Sequence, residues 1–273
     1  MGRRTGKVAF SDAKYDRGSE RLQPFKAKLV QLLHETFDSG CILDLGCGSG
    51  LVSTELKRIG CDVIGVDISL SAVRKYRAAG YTGLICDLEK PLPFKDEMFD
   101  GVWISEVIEH IVEYAFLISE IYRVLKPKGK LYLTTPNSAF FGYRLLFLLG
   151  KCPTELQHPY HVRFYSYDFL EKCLSNNGFK ISHSLGQNIY FYLPDVFVRV
   201  LSNLPDKARL AVWKLLELLG LRLVPGMIRG NKLMGYWFGT RLRKLLSNCI
   251  MIVGVKRQET VRVRGAKGRA EVS

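Results

Sequence analysis

Short apolar runs rich in β-branched residues alternate along this chain with longer segments whose apolar positions recur at helical spacing. The short runs predict strands at Cys41–Leu45, Asp62–Val66, Gly83–Cys86, Gly101–Ile104, Lys130–Thr134, Phe179–Ser182 and Cys249–Val255. The longer segments predict helices over Pro24–Phe37, Leu51–Ile59, Ser69–Ala79, Val107–Leu125, Ala139–Leu149 and Tyr167–Asn176. A parallel strand can rejoin its sheet only through a crossover. The alternation therefore predicts an α/β fold with a seven-stranded, mostly parallel sheet and helices on both faces. Cys41-Ile42-Leu43 and Val102-Trp103-Ile104 are almost continuously apolar, as strands covered on both sides must be. Asn177-Gly178 supplies a left-handed stop between the last helix and the next strand, and Lys126-Pro127-Lys128-Gly129 ends the preceding long helix in the same way.

The alternation breaks between the last two strands, where residues 186–248 form an insertion read as helical. Leu210–Leu219 is apolar apart from Lys214 and Glu217, and Trp237–Ser247 sets Phe238, Leu242, Leu245 and Leu246 against Arg241, Arg243 and Lys244. Both fall well short of the ~18 apolar residues of a membrane span. The organisation expected is a basic arm (1–23), one domain (24–255) carrying the insertion, and a basic tail (256–273). Charge follows this division. Residues 31–193 hold sixteen basic and eighteen acidic side chains, whereas 194–255 hold ten and three, within a total of +14. A neutral middle with basic additions fits either an ordinary solvated surface or an anionic neighbour such as a membrane. The insertion has three readings: a lid, a homodimer contact, or an element lying on an anionic bilayer. Seven cysteines without a CxxC pair read as reduced, buried thiols, with no disulfide frame and no metal site. With no apolar run in the first 28 residues, the expected location is cytoplasmic, with peripheral membrane association as an addition.

The chemistry is concentrated at the carboxyl ends of the predicted strands, where ligands of open α/β sheets bind. Ile42-Leu43-Asp44-Leu45-Gly46-Cys47-Gly48-Ser49-Gly50 runs from a strand through a glycine turn into a helix. A dinucleotide site would have glycine or alanine at the last place of GxGxxG, and Leu51 stands there. Asp44 would repel a pyrophosphate but suits a ligand bearing an ammonium and a sulfonium. Asp67 ends the second strand, where a ribose diol is held by paired hydrogen bonds, and Asp87 ends the third. Any one of these aspartates reads most simply as a helix cap or turn residue. Three at successive strand ends beside a glycine turn read as a binding crevice.

These residues resemble the class I S-adenosylmethionine-dependent methyltransferase superfamily over about Pro24 to Ser184 and the final strand. The resemblance implies a Rossmann-like sheet and S-adenosylmethionine as cofactor. It assigns Asp44, Gly46, Cys47, Gly48 and Gly50 to the methionyl part, Asp67 with Ile68 to the ribose and adenine, and Asp87 with Leu88 to the adenine. Phe99 to His110 is similar to the fourth strand and its exit, with Ser105 at the cofactor, and Val124 to Leu131 to the helix-turn-strand that follows.

Methyl transfer from a sulfonium asks the protein mainly to align donor and acceptor and exclude water, although a hydroxyl acceptor also needs a base. On the predicted helix 107–125, Glu106, Glu109, His110 and Glu113 share a face, with Val107, Ile111, Ala115 and Ile118 opposite. His110 is the candidate base, supported by Glu106, because an imidazole titrates near neutral pH. A purely structural role for His110 is the competing reading. His161, Arg163 and Tyr165, in Gln157 to Ser166, are candidate acceptor contacts, or else they cap and pack the following helix. Thr135-Pro136-Asn137, Arg144 to Gly150 and His161 to Tyr165 look like methyltransferases of cell-surface glycan or lipid biosynthesis. The Glu-x-x-Glu-His exit of the fourth strand is similar to quinone-pathway O-methyltransferases. Both imply an oxygen acceptor on a small or lipid-linked molecule. The fourth strand lacks the Asp/Asn-Pro-Pro-Tyr/Phe signature of base amine methylation, and nucleic acid is not favoured as a partner. An RNA or protein methyltransferase and a non-catalytic cofactor-binding module remain the alternatives.

Overall fold

The computed structural model describes residues 40–152, 160–187, 189–191, 205, 207–208, 222–228, 233–236, 247 and 249–258. The expected helix over 24–37, the basic arm, the helical stretch 210–219, residues 237–246 of the next one and the tail beyond 258 lie outside them.

The main sheet contains β1 (Gly40–Leu45), β2 (Cys61–Asp67), β3 (Thr82–Ile85), β4 (Phe99–Ser105), β5 (Leu125–Pro136), β6 (Phe179–Gln187) and β10 (Cys249–Lys256). Its order is β3-β2-β1-β4-β5-β10-β6. Parallel pairing runs from β3 to β5, and β10 lies antiparallel between β5 and β6. Helices α1 (Leu51–Arg58), α2 (Leu70–Ala78), α3 (Tyr114–Val124), α4 (Phe141–Leu148) and α5 (Tyr167–Asn176) connect the strands. All seven predicted strands are present. The chain winds outward from β1 to β3 and then returns to place β4 against β1, so the order reverses at β1, where open sheets hold ligands.

The period-two alternation of side chains divides the core between the two faces. Ile42 and Trp103 join Val52, Leu56, Tyr132 and Met251 on one face. Leu43, Leu45, Val102 and Ile104 join Leu117, Ile121 and Leu170 on the other. Ser69 caps α2 by accepting from Ala72 N at 3.0 Å, and Ser166 caps α5 by accepting from Phe169 N at 3.4 Å. Gly178, with φ +88°, is the left-handed stop after α5 that Asn177-Gly178 predicts.

Three features differ from expectation. Lys126-Pro127-Lys128-Gly129, read as a left-handed helix end, lies inside β5 with Lys128 at φ +66°. Two elements change more. The helix expected over 107–125 is broken: Ile108–His110 form one 3-10 turn, Ile111 is extended, and α3 begins only at Tyr114. The carbonyl of Glu109 accepts from Val162 N (2.9 Å) and Arg163 N (3.1 Å) instead of from a residue one turn ahead. Val112 N donates to Glu89 Oε1 at 2.8 Å. With β-branched Val107, Ile108, Ile111 and Val112 weakening the helix, these tertiary bonds win. Glu106, Glu109, His110 and Glu113 therefore do not share a helical face. The insertion also contains strands that its sequence did not announce: β7 (Ile189–Phe191), β8 (Arg222–Ile228) and β9 (Leu233–Tyr236) form an antiparallel sheet in the order β7-β9-β8. Register jumps from Leu223↔Gly235 to Ile228↔Leu233, so the segment containing Pro225-Gly226 is excluded from pairing. That proline and glycine hide the strand from a periodicity argument.

Glu120 fastens the segment before β4 to α3. Its carboxylate accepts from Leu92 N at 2.8 Å and from Arg123 Nε and Nη2 at 2.8 and 2.7 Å. The Arg123 guanidinium holds this carboxyl below the usual glutamate range, against the opposing effect of burial. A carboxyl more acidic in the folded than in the unfolded chain stabilises above the ordinary glutamate range, and that stabilisation is lost as pH falls through the folded value. Glu120→Ala is expected to lower stability by about 2 kcal/mol at neutral pH, since it strands the buried Leu92 amide and removes the carboxylate from Arg123 Nε and Nη2, which keeps Asp96 and the Phe94 and Leu92 carbonyls. Urea unfolding should show the gap between variant and parent narrowing below the carboxylate range; a gap independent of pH would contradict the assignment.

Candidate active site

The turn after β1 is held to the tip of β2 by backbone and by one carboxylate. Gly46 N and Cys47 N both donate to Val66 O, at 2.8 and 3.0 Å. Asp67 is buried; its Oδ2 accepts from Gly48 N at 3.0 Å and its Oδ1 from Ser69 N at 2.9 Å. Gly46, Gly48 and Gly50 all adopt positive φ (+74°, +55° and +93°), the region a side chain disfavours. At Gly46 a Cβ would also fall 2.4 Å from Val107 Cγ2. This near-contact puts the exit of β4 directly against the glycine turn. Helix α1 starts from Gly50 with no side-chain cap.

Asp44 is buried one strand over. Tyr76 OH donates to Ser53 Oγ (2.8 Å), which donates to Asp44 Oδ2 (2.6 Å). Burial and then the Asp44 charge push the Tyr76 phenol up, so it remains a donor. The Cys47 thiol is raised by burial, then by Asp44 and Asp67, and stays protonated. Asp87, half-buried, follows β3 and accepts from Glu89 N at 3.2 Å through Oδ1. Leu88 beside it is buried, and Ile68 is half-buried beyond β2. The parallel pairing of β3, β2 and β1 thus sets Asp87, Asp67 and Asp44 at three neighbouring strand ends.

At the exit of β4, buried Ser105 shares a 2.8 Å hydrogen bond with Thr134, and Thr134 Oγ1 donates to Glu106 Oε1 at 3.2 Å. Glu106 has φ +57°, an unusual backbone for a non-glycine residue. Glu109 is buried; its Oε2 accepts from Thr135 Oγ1 at 3.0 Å, and its Oε1 lies 4.0 Å from His161 Nε2. His110 Nδ1 is 3.0 Å from Tyr160 O, and the His110 and His161 rings meet edge to face at 4.8 Å. His161, Arg163 and Tyr165 are brought to His110 because their loop is sewn onto the 108–112 turn. Arg163 Nη2 donates to Val112 O at 2.9 Å, and its guanidinium lies 5.2 Å over the Tyr114 ring. Tyr165 is buried, its hydroxyl donating to Ile108 O at 3.3 Å. Arg163 and Tyr165 therefore build the loop, while His161 stands beside Glu109.

Sequence reasoning did not foresee the pairing of Glu109 with Thr135 and His161, or the Tyr76–Ser53–Asp44 relay. Each joins segments whose proximity no local pattern encodes. Glu109, His110 and His161 also bring ligand atoms within 4.8 Å of one another, close enough to hold a metal ion, where none was expected from sequence.

The glycine turn fits S-adenosylmethionine on the structure's own terms: backbone without Cβ at Gly46, Gly48 and Gly50, with the buried carboxylates of Asp44 and Asp67 at the adjacent strand tips suited to a cationic ligand. Gly46→Ala should destabilise the chain by about 2 kcal/mol or more, combining left-handed strain with the Val107 clash. Asp67→Asn keeps one acceptor oxygen but turns an NH2 donor toward the other amide, so it should weaken binding of S-adenosylhomocysteine about tenfold and cost about 1 kcal/mol or more of stability, less than Asp67→Ala. Asp67→Ala should weaken both, because the Gly48 and Ser69 amides lose their acceptor. Calorimetric titration beside thermal unfolding separates the cases; unchanged affinity in Asp67→Asn would place the ribose elsewhere.

Comparison with known proteins supports the same reading. Residues 18–184 match the family described as Methyltransferase domain. Bovine mitochondrial ubiquinone biosynthesis O-methyltransferase is 32% identical over 161 residues, covering 53% of this chain and 42% of that protein. The Bartonella bacilliformis ubiquinone biosynthesis O-methyltransferase is 30% identical over 155 residues, covering 53% and 62%. The chain thus spans about half the length of the curated relatives it matches. Among solved structures, a SAM-dependent methyltransferase from Archaeoglobus fulgidus superposes with TM-score 0.54 at 19% identity, covering 85% of this chain and 93% of that one. The [4+2]-cyclase SpnF superposes at 0.51 with 18% identity, covering 88% and 85%, so this fold also carries other chemistry. The family match, rather than the fold, is what decides: the chain belongs to the methyltransferase-domain family, among the class I S-adenosylmethionine-dependent methyltransferases.

Proposed function

We propose that the chain methylates an oxygen atom of a small or lipid-linked acceptor, with a phenolic quinone precursor as the leading class and a sugar as the second. The observation that carries this reading is the cluster of Glu109, His110 and His161 at the exit of β4, beside the glycine turn that Val107 touches. The names of the relatives point to the same acceptor class.

When bound, S-adenosylmethionine supplies an electrophilic methyl group on a sulfonium. The chain's own task is to take the acceptor's proton and hold the resulting charge. His110 suits the first part. A carbonyl oxygen only accepts, so the 3.0 Å contact with Tyr160 O keeps the proton of a neutral His110 on Nδ1 and leaves Nε2 as the basic nitrogen. His161, held 4.0 Å from the buried Glu109 carboxylate, completes the acceptor side. Glu106 adds a carboxylate at the tip of β4, tied through Thr134 to β5. A second reading rests on the ligand-atom spacing of Glu109, His110 and His161: a divalent ion there would bind and acidify the acceptor hydroxyl itself.

Incubation with methyl-labelled cofactor and a fractionated lipid extract should put label into an alkali-stable, ether-type product. Label confined to RNA or protein, or binding without turnover, would overturn the proposal. His110→Ala should reduce turnover about a hundredfold or more while leaving S-adenosylhomocysteine affinity unchanged. Activity abolished by a chelator and restored by a divalent cation would assign the cluster to metal rather than to a general base.

A further inference from the structure

Helix α4 is unlike the other helices described. α1, α2, α3 and α5 each bury at least three residues, whereas α4 buries none. Its apolar side chains are nevertheless large. Leu148 is 84% exposed, Leu149 just beyond it 72%, and Phe141 51%, with Leu145 also exposed. Single exposed leucines are ordinary, but a contiguous helical patch of this kind marks an interaction surface.

Its occupant can be read from charge, length and position. From Pro136 to Thr154 the only charged residues are Arg144 and Lys151, so the charges on α4 and its flanks are cations. The chain as a whole carries +14. Eight residues make a helix of about 12 Å, far short of a ~30 Å hydrocarbon core, so α4 can lie in an interface but not cross it. Tyr143 stacks on Phe147 at 6.5 Å on the same helix, adding the amphipathic tyrosine ring that favours the headgroup level. α4 also follows β5 directly, and Asn137 between them bridges to Tyr165. It therefore leaves the same sheet edge that carries the glycine turn and the histidine cluster.

We infer that α4 is an interfacial anchor that docks this edge of the sheet onto an anionic phospholipid bilayer, inserting Phe141, Leu145, Leu148 and Leu149 while Arg144 and Lys151 meet the headgroups. This places the membrane contact on α4 rather than on the 186–248 insertion, and it does not depend on which acceptor is methylated.

Flotation of the full chain with phosphatidylcholine vesicles containing phosphatidylglycerol, and with phosphatidylcholine alone, tests it. The parent should float with the anionic vesicles and only weakly with neutral ones. The double variant Leu148→Ser/Leu149→Ser should partition about tenfold less, because two exposed leucines no longer enter the acyl region. Its circular dichroism and its thermal stabilisation by S-adenosylhomocysteine should match the parent's, since neither residue packs in the core. Arg144→Glu/Lys151→Glu should lose the preference for anionic vesicles. Equal flotation of the leucine variant and the parent would overturn the inference by assigning binding to the basic ends. Parent chains that ignore vesicles but sediment as a dimer, dissociated by the same leucine changes, would overturn it in favour of a second copy on α4.

Discussion

One carboxylate organises the glycine-turn edge of this molecule. Asp67 stands at the end of β2 and receives two backbone amides, one from the glycine turn and one from the start of α2. A buried carboxylate is tolerated only when its charge is met by donors, and these amides meet it. In return the loop after β1 is locked to the neighbouring strand, with Val66 O taking two further amides. The turn can approach a ligand closely at Gly46, Gly48 and Gly50, and it keeps that shape because Asp67 holds it.

The cluster of Glu109, His110 and His161 is assembled on a different principle. Here the backbone of one loop is hydrogen-bonded to the backbone of another: Val162 and Arg163 donate to Glu109 O. The helix expected after β4 is sacrificed to this contact, and the result is that Glu109, His110 and His161 face one another. A continuous helix would have kept His110 near Glu106 and Glu113 but could not have accepted the 160–165 loop. Arg163 and Tyr165, whose side chains could grip a substrate, are engaged in holding that loop. What they contribute is the placement of His161.

The glycine turn and the β4 exit meet at Gly46 and Val107, which leave no room for even a methyl group. Alignment of a methyl donor with an acceptor is a matter of tenths of an ångström. A close-packed junction between the glycine turn and the β4 exit is the kind of contact that preserves it, and α4 leaves the same sheet edge.

The fold class, all seven strands of the main sheet and the glycine turn with its three aspartates were legible in the residues. They depend on local patterns: apolar runs of strand length, glycines before a helix, acids at run ends. The sequence also carried the Glu-x-x-Glu-His segment and the His161 loop as separate candidates. Only the tertiary structure decided how they combine, because the bonds that join them connect residues distant in the chain and override the helical preference between them. The strands of the insertion escaped for a related reason, since Pro225-Gly226 interrupts the alternation that would have revealed them. Periodicity records what each segment can bury, whereas the site depends on which distant backbone groups find each other once that burial is complete.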